Sequence, residues 1–313
     1  MNIQERLEKM IHGAPNSTNA YLREVCKNCH IGTTKTAMHI YMLRLDGNKR
    51  PRIRDFCEFL FDKIVDYCIP ASEIRAAKEK NEKYNTTQYT TRLARKAKNL
   101  FTHISNSGEV GELALSVLTQ EFLNMPQLLC KMSLKTNPNV HFHGADGLYG
   151  KYDNLNKKFL LYWGESKIYE DVQQALNNCF DSIKELLIEE GTMGTYRERD
   201  ISLFRSNIDF EDAELQQVIL KYLDPDNEEY NSLEYRGVCL VGYSETAYPK
   251  DFSAVEEKIF ETITTKINDF QSSIKKKISA RPPLTQYTIE VILVPVSDAN
   301  ELRETFKKVL SEG

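Results

Sequence analysis

The segment Phe159-Leu-Leu-Tyr-Trp-Gly-Glu165-Ser166-Lys167 leaves this chain little freedom in how it folds. Its apolar and aromatic run reads as a buried strand over 157–167. Val172, Ala175, Leu176, Cys179, Ile183 and Leu187 then recur at helical spacing, predicting a helix over 169–189 that Gly191 and Gly194 end. A buried strand running straight into a long helix is the building unit of sheets covered by helices. The strand also ends in an acid and an amine. Side chains alternate along a strand, so Glu165 and Lys167 point to one face, roughly 6.6 Å apart along it.

The remaining pattern after residue 100 repeats this alternation. Val110, Leu113, Ala114, Val117, Leu118 and Phe122 predict a helix over 108–124, with Asn106 and Glu109 spaced as a capping box. Residues 126–133 and 139–146 read as strands, 211–223 as a helix, and Arg236–Tyr243 as a dense short strand. Ser253 and Glu256 form a second capping-box spacing, opening a helix that extends to Lys275. Residues 288–294 read as a strand and 299–311 as a last helix. The expected class is therefore α/β, a mixed sheet flanked by helices. Before residue 100, His39–Leu45 reads as a strand closed by an Asp46-Gly47 turn. Helices are expected over Arg52–Tyr67, from a Ser72 cap onward, and over 88–99. The expected division is a mixed, mainly helical lobe at 1–99, suited to docking a partner, and a second unit at 100–313.

Three further acids give the Glu-x-Lys strand a chemical context. Asp146 lies between glycines in Gly144-Ala-Asp-Gly147, and Glu109 and Glu112 share one face of the predicted helix, a turn apart. Hard divalent ions take oxygen ligands, typically a few carboxylates with several waters retained. Asp146 and Glu165 supply two such carboxylates, and the carbonyl of Ser166 is a third candidate oxygen. Lys167 carries positive charge suited to orienting water or offsetting a phosphate. A Mg²⁺ held there, or Mn²⁺ in its place, would stabilise a transferring phosphoryl group and activate water. Glu112 lies deeper in its helix than Glu109, which has a capping role to fill, so Glu112 is the preferred auxiliary acid. Each part has a plainer reading. Most Glu-x-Lys triplets are solvated pairs, and Asp-Gly is a turn signal. The order helix Glu, then Asp, then apolar strand with Glu-x-Lys is what favours phosphodiester hydrolysis.

That order resembles the PD-(D/E)xK nuclease superfamily. Glu165-Ser166-Lys167 stands as the (D/E)xK element and Ala145-Asp146 where the superfamily has Pro-Asp, with the proline absent. Glu112 corresponds to the acid of the first core helix. Gly108-Glu-Val-Gly-Glu-Leu113, His141-Phe-His-Gly-Ala-Asp-Gly147, Trp163-Gly-Glu-Ser-Lys167 and Arg236-Gly-Val-Cys-Leu-Val-Gly-Tyr243 are similar to the DUF1837 family. The resemblance spans roughly 100–300. That family includes the HamA effector of the Hachiman antiphage system. The resemblance implies a restriction-endonuclease-like core and a Mg²⁺-dependent deoxyribonuclease. Its substrate would be DNA and its partner a superfamily 2 helicase subunit similar to HamB. The alternative is an inactive nuclease-like module that binds a protein or nucleic acid, and the metal chemistry alone does not separate DNA from RNA.

Composition limits the remaining classes. A net charge of −4 with 27% charged residues argues against a general nucleic-acid coat, but fits an enzyme with a local basic surface or one handed its substrate by a partner. The 41% hydrophobic content is that of an ordinary globular chain, and no stretch approaches 18 uncharged apolar residues, so no membrane span is expected. With no secretory segment at the start and seven scattered cysteines, a reduced cytoplasmic protein is expected. Cys26-x-x-Cys29-His30 invites a zinc or redox reading, but lacks a nearby second ligand pair and a thioredoxin-like context. His141 and His143 flank the acidic site, and Tyr169, Gln173 and Gln174 follow it. Arg92, Arg95, Lys96 and Lys98, and Lys275, Lys276 and Lys277, are basic clusters that suit a nucleic-acid backbone, an acidic partner or simple solvation.

Overall fold

The computed structural model describes residues 2–102, 108–130, 132, 144–188, 196–251, 253 and 255–313. Among these, six strands make one sheet: β1 (Leu22–His30), β2 (Thr36–Leu43), β3 (Gly147–Asp153), β4 (Lys158–Tyr169), β5 (Leu233–Ser244) and β6 (Ile289–Val296). Their order is β1-β2-β6-β5-β4-β3. The inner four run parallel, and an antiparallel strand closes each edge. The chain is α/β, as its alternating pattern predicts. Parallel strands are covered on both faces, which is why Phe159 to Ser166 of β4 are all buried.

Twelve α-helices accompany the sheet among the described residues. Residues before 103 form α1 (Ile3–Glu8), α2 (Ile53–Phe61), α3 (Ile64–Cys68), α4 (Ala71–Tyr84) and α5 (Gln88–Thr102). Then come α6 (Glu109–Leu123), α7 (Val172–Leu187), α8 (Tyr196–Asn207), α9 (Ala213–Tyr222), α10 (Glu256–Thr265), α11 (Ile267–Ser279) and α12 (Ala299–Glu312). Residues 1–99 are mainly helical, yet their strands β1 and β2 belong to the sheet, with β2 paired to β6 in register Thr36–Ile289 through Ile40–Leu293.

Two glycine contacts show which helix covers which face of β4. A Cβ on Gly111 of α6 would lie 2.9 Å from Ser166 Oγ, so α6 covers the face carrying Gly164, Ser166 and Ile168. A Cβ on Gly237 of β5 would meet Ile183 and Leu187, so α7 covers the face carrying Glu165 and Lys167. The α6 glycine lowers intrinsic helix stability by ~1 kcal/mol but allows this close approach.

Several local expectations change. The predicted 52–67 helix is two helices, α2 and α3. Ser72 lies inside α4, and its backbone N–H donates at 3.0 Å to Asp209, so a carboxylate from another segment serves the helix start. The Ser253–Glu256 capping box does not form, because Glu256 accepts from Arg44 and the Leu45 N–H instead. The helix expected to run to Lys275 is interrupted at Lys266, which pairs with buried Glu245. Among the described residues the segment from 126 makes a single bridge, Gln127 to Tyr149, and 144–146 is not strand; residues 131, 133 and 139–143 of the two expected strands lie outside the described residues. Asn106, His141 and His143 lie outside the described residues. No helix among the described residues is long and apolar enough to cross a membrane.

Candidate functional site

β4 outruns its neighbour. The β3–β4 ladder begins at Gly147–Gly164, so residues 165–169 continue along β5 with their other edge open to side chains. Two groups on that open edge are satisfied by side chains. Asp146 Oδ2 accepts from the Ser166 N–H at 2.8 Å and from Ser166 Oγ at 2.8 Å. Arg303 of α12 donates to the Ile168 carbonyl at 2.6 Å. The Asp146 N–H in turn donates to Gly164 O at 2.8 Å, which holds its backbone against the strand. Asp146 therefore stands where a strand partner would stand, with its carboxylate beside the start of the overhang.

Glu165 and Lys167 form an ion pair on the α7 face of this overhang. The Glu165 side chain is only 8% exposed and that of Lys167 22%, so the pair is shielded from water on most sides. Burial works against the Lys167 charge, but the carboxylates of Glu165 and Asp146 outweigh it and hold the ammonium above its ordinary pKa. Lys167 thus feels both acids. Beneath them, Cys179 of α7 donates to the Glu165 carbonyl at 3.4 Å, and burial first of all, then a hydrogen bond with the Cys239 thiol, pushes this thiol well up.

Glu112 is placed differently. It lies in the first turn of α6, on the face opposite Glu165 and Lys167, and accepts from the Tyr67 hydroxyl of α3 at 3.2 Å. Burial, with added repulsion from Glu112 and Asp146, raises the Tyr67 phenol well above its usual pKa. Tyr149 on β3 is raised by burial, Asp146 and Glu112 together. Glu112 and Asp146 therefore share two tyrosine neighbours across the edge of β3. Glu109, the less favoured of the two helix acids, is itself buried at the start of α6.

The structure thus brings Asp146, Glu165 and Lys167 together and sets Glu112 behind them. Among the described residues no three His, Cys, Asp or Glu side chains gather as a metal-holding group. Asp146 and Glu165 are the two carboxylates beside Lys167 that could supply oxygen donors. Hard oxygen pairs of this kind suit Mg²⁺, which keeps several of its own waters. Sequence reasoning did not find Tyr67 or Arg303, because each reaches the site from a distant segment. The glycine at 111 inside a helical pattern was the one available signal of close packing there.

The other candidates resolve plainly. Cys26 and Cys29 lie side by side across a bulge in β1. His39 is fully buried, accepting from the Asn28 N–H at 3.3 Å and bonding Glu290 at 2.9 Å. Gln173 bonds Ser273 at 2.5 Å and Asn177 accepts from Lys277 at 2.9 Å, so these residues stitch α7 to α11. No curated protein matches the chain. A family model described as HamA matches residues 19–310, and the chain belongs to the HamA family.

Proposed function

We propose that this chain is a metal-dependent DNA endonuclease, the effector of a Hachiman antiphage complex, held in check and supplied with DNA by a helicase subunit. The observation that carries the reading is the convergence of Asp146, Glu165 and Lys167 on the overhang of β4. The succession α6, β3, β4, α7, β5, with the acid immediately before β3 and the Glu-x-Lys on its antiparallel neighbour β4, supports a PD-(D/E)xK core. Family membership supports the defence setting.

Asp146 and Glu165 would hold the ion, and Mg²⁺ there supplies Lewis acidity and a water of lowered pKa. The chain's own groups do the rest. Ser166 fixes the Asp146 carboxylate with two hydrogen bonds, so its second oxygen keeps a defined direction. Lys167 remains an ammonium and acts as a positive partner for a phosphate oxygen or an orienting donor to water, rather than as a base. To do so it must share or leave its pairing with Glu165. Glu112 acts from behind, through Tyr67 and the electrostatics it shares with Asp146.

The test uses the purified chain, with and without a candidate superfamily 2 helicase subunit, on plasmid, linear DNA and RNA with Mg²⁺ or Mn²⁺. Cleavage of DNA is expected, rising when the helicase is present. Glu165→Ala and Lys167→Ala should each lose at least about 100-fold while keeping the wild-type circular dichroism spectrum. Equal cutting by both variants would sink the site assignment. Cleavage confined to RNA would replace the substrate. Absence of cutting under every partner and metal condition would favour a binding module in which the Glu165–Lys167 pair is purely structural.

A further inference from the structure

The α4–α5 hairpin concentrates positive charge in a chain that is negative overall. Residues 71–102 hold eight Lys and Arg against three Glu, whereas the whole chain carries −4. Ile74 and Ala77 of α4, and Leu93, Ala97 and Leu100 of α5, bury the hairpin's inner faces. Lys96 is used at the base, paired with Glu73 at 2.6 Å. The far end is different. Tyr84 is 57% exposed and its ring centroid lies 6.2 Å from that of Tyr89. Three cations surround these rings: Lys83 Nζ is 5.3 Å from the Tyr84 centroid, Lys80 Nζ 5.7 Å and Arg92 Cζ 5.6 Å from that of Tyr89.

The tip is built to hold this arrangement. Asn81 donates to Thr90 Oγ1 at 2.8 Å and accepts from the Tyr89 N–H at 3.1 Å, tying the end of α4 to the start of α5. Asn85, in the left-handed region at φ 48°, ends α4 and turns the chain back. The base of the hairpin follows α3, whose Tyr67 bonds Glu112, and α4 is itself about 21 Å long.

We propose that this tip binds single-stranded nucleic acid, with Lys80, Lys83 and Arg92 on the phosphates and Tyr84, backed by Tyr89, as a stacking platform for a base. Cations interleaved with exposed aromatic faces are the combination that single strands use and that duplexes cannot, since their bases are already stacked. An acidic protein surface would use the charge but not the ring. The proposal deepens the nuclease reading by naming the form of nucleic acid held, single-stranded DNA under that reading. It stands on the hairpin alone and is tested without cleavage.

Full-length Glu165→Ala protein in EDTA is titrated into fluorescein-labelled dT20, a duplex of equal length and polyglutamate, read by anisotropy over a salt series. Binding to dT20 is expected, at least about fivefold tighter than to duplex or polyglutamate. Replacing both Lys80 and Lys83 by Ala should reduce the log–log salt slope by about 1.4. Tyr84→Leu should weaken dT20 binding by about five- to a hundredfold and leave that slope unchanged. These positions are on the exposed tip, and circular dichroism checks that each variant is folded. No binding of dT20, equal binding of duplex or polyglutamate, or wild-type affinity in Tyr84→Leu would each overturn the proposal. Cleavage assays on the unsubstituted protein report separately on the nuclease reading.

Discussion

At the scale of single residues, Asp146 has two tasks that substitution can separate. In the proposed function its charge helps hold the metal, while one oxygen takes the place of a strand partner for the Ser166 N–H. Asp146→Asn keeps an acceptor and removes the charge. It should abolish cleavage with a Tm within about 2 °C of wild type. Asp146→Ala also strands the Ser166 donor, which costs about 1–2 kcal/mol and should lower Tm by about 2–6 °C. Thermal denaturation followed by fluorescence distinguishes them, and equal Tm values would remove the edge-capping role. The charged residues of this site were legible in the sequence because strand alternation puts Glu165 and Lys167 on one face. The hydrogen bond that orients Asp146 was not, since it depends on where β3 stops relative to β4.

At the scale of elements, the long periodic segments were read with their boundaries nearly right: α6, α7, β4 and β5 all lie within a few residues of their patterns. Helix starts were read less well, and for one reason. Ser72 and Ser253 have the residue types of caps, but carboxylates from other segments, or competition from Arg44, decide those ends. Asp212 does cap its own helix, accepting from the Leu215 N–H at 3.0 Å, and also pairs with Arg6 of α1. The Arg6 guanidinium above all, then the cap, lowers its pKa to about 2. A carboxylate depressed in the folded state stabilises above its ordinary pKa of about 3.9 and loses that contribution as pH falls toward the folded value. Wild type should therefore exceed Asp212→Asn in urea resistance by a constant margin above about pH 5, and the margin should shrink between pH 4 and 2. Added salt should narrow it, because the pair is partly exposed. A margin that is flat with pH would mean that Arg6 contributes nothing through Asp212.

At the scale of the whole molecule, the least legible feature was sheet order. Periodicity identifies strands but says nothing about neighbours far apart in the chain, and β2 joins β6 across more than two hundred residues of sequence. The consequence for the division at residue 99 can be measured. A fragment of residues 100–313 would leave the edge of β6 and the apolar faces under β2 uncovered. It should be insoluble or unfold without cooperativity, whereas co-expression with residues 1–99 should restore soluble material. A monomeric, cooperatively folding fragment would show that the front lobe is dispensable for the sheet.

The β2–β6 seam also sets a timetable. Strand β2 leaves the ribosome more than two hundred residues before its partner, residues 289–296. At cellular rates of about 5–20 residues per second, that interval is on the order of tens of seconds. Once β4 and β5 have been made they can pair, but until β6 follows the sheet that seats them has a gap between β5 and β2. If the chain is the nuclease proposed above, the fold that supports cutting closes only once β6 has been made.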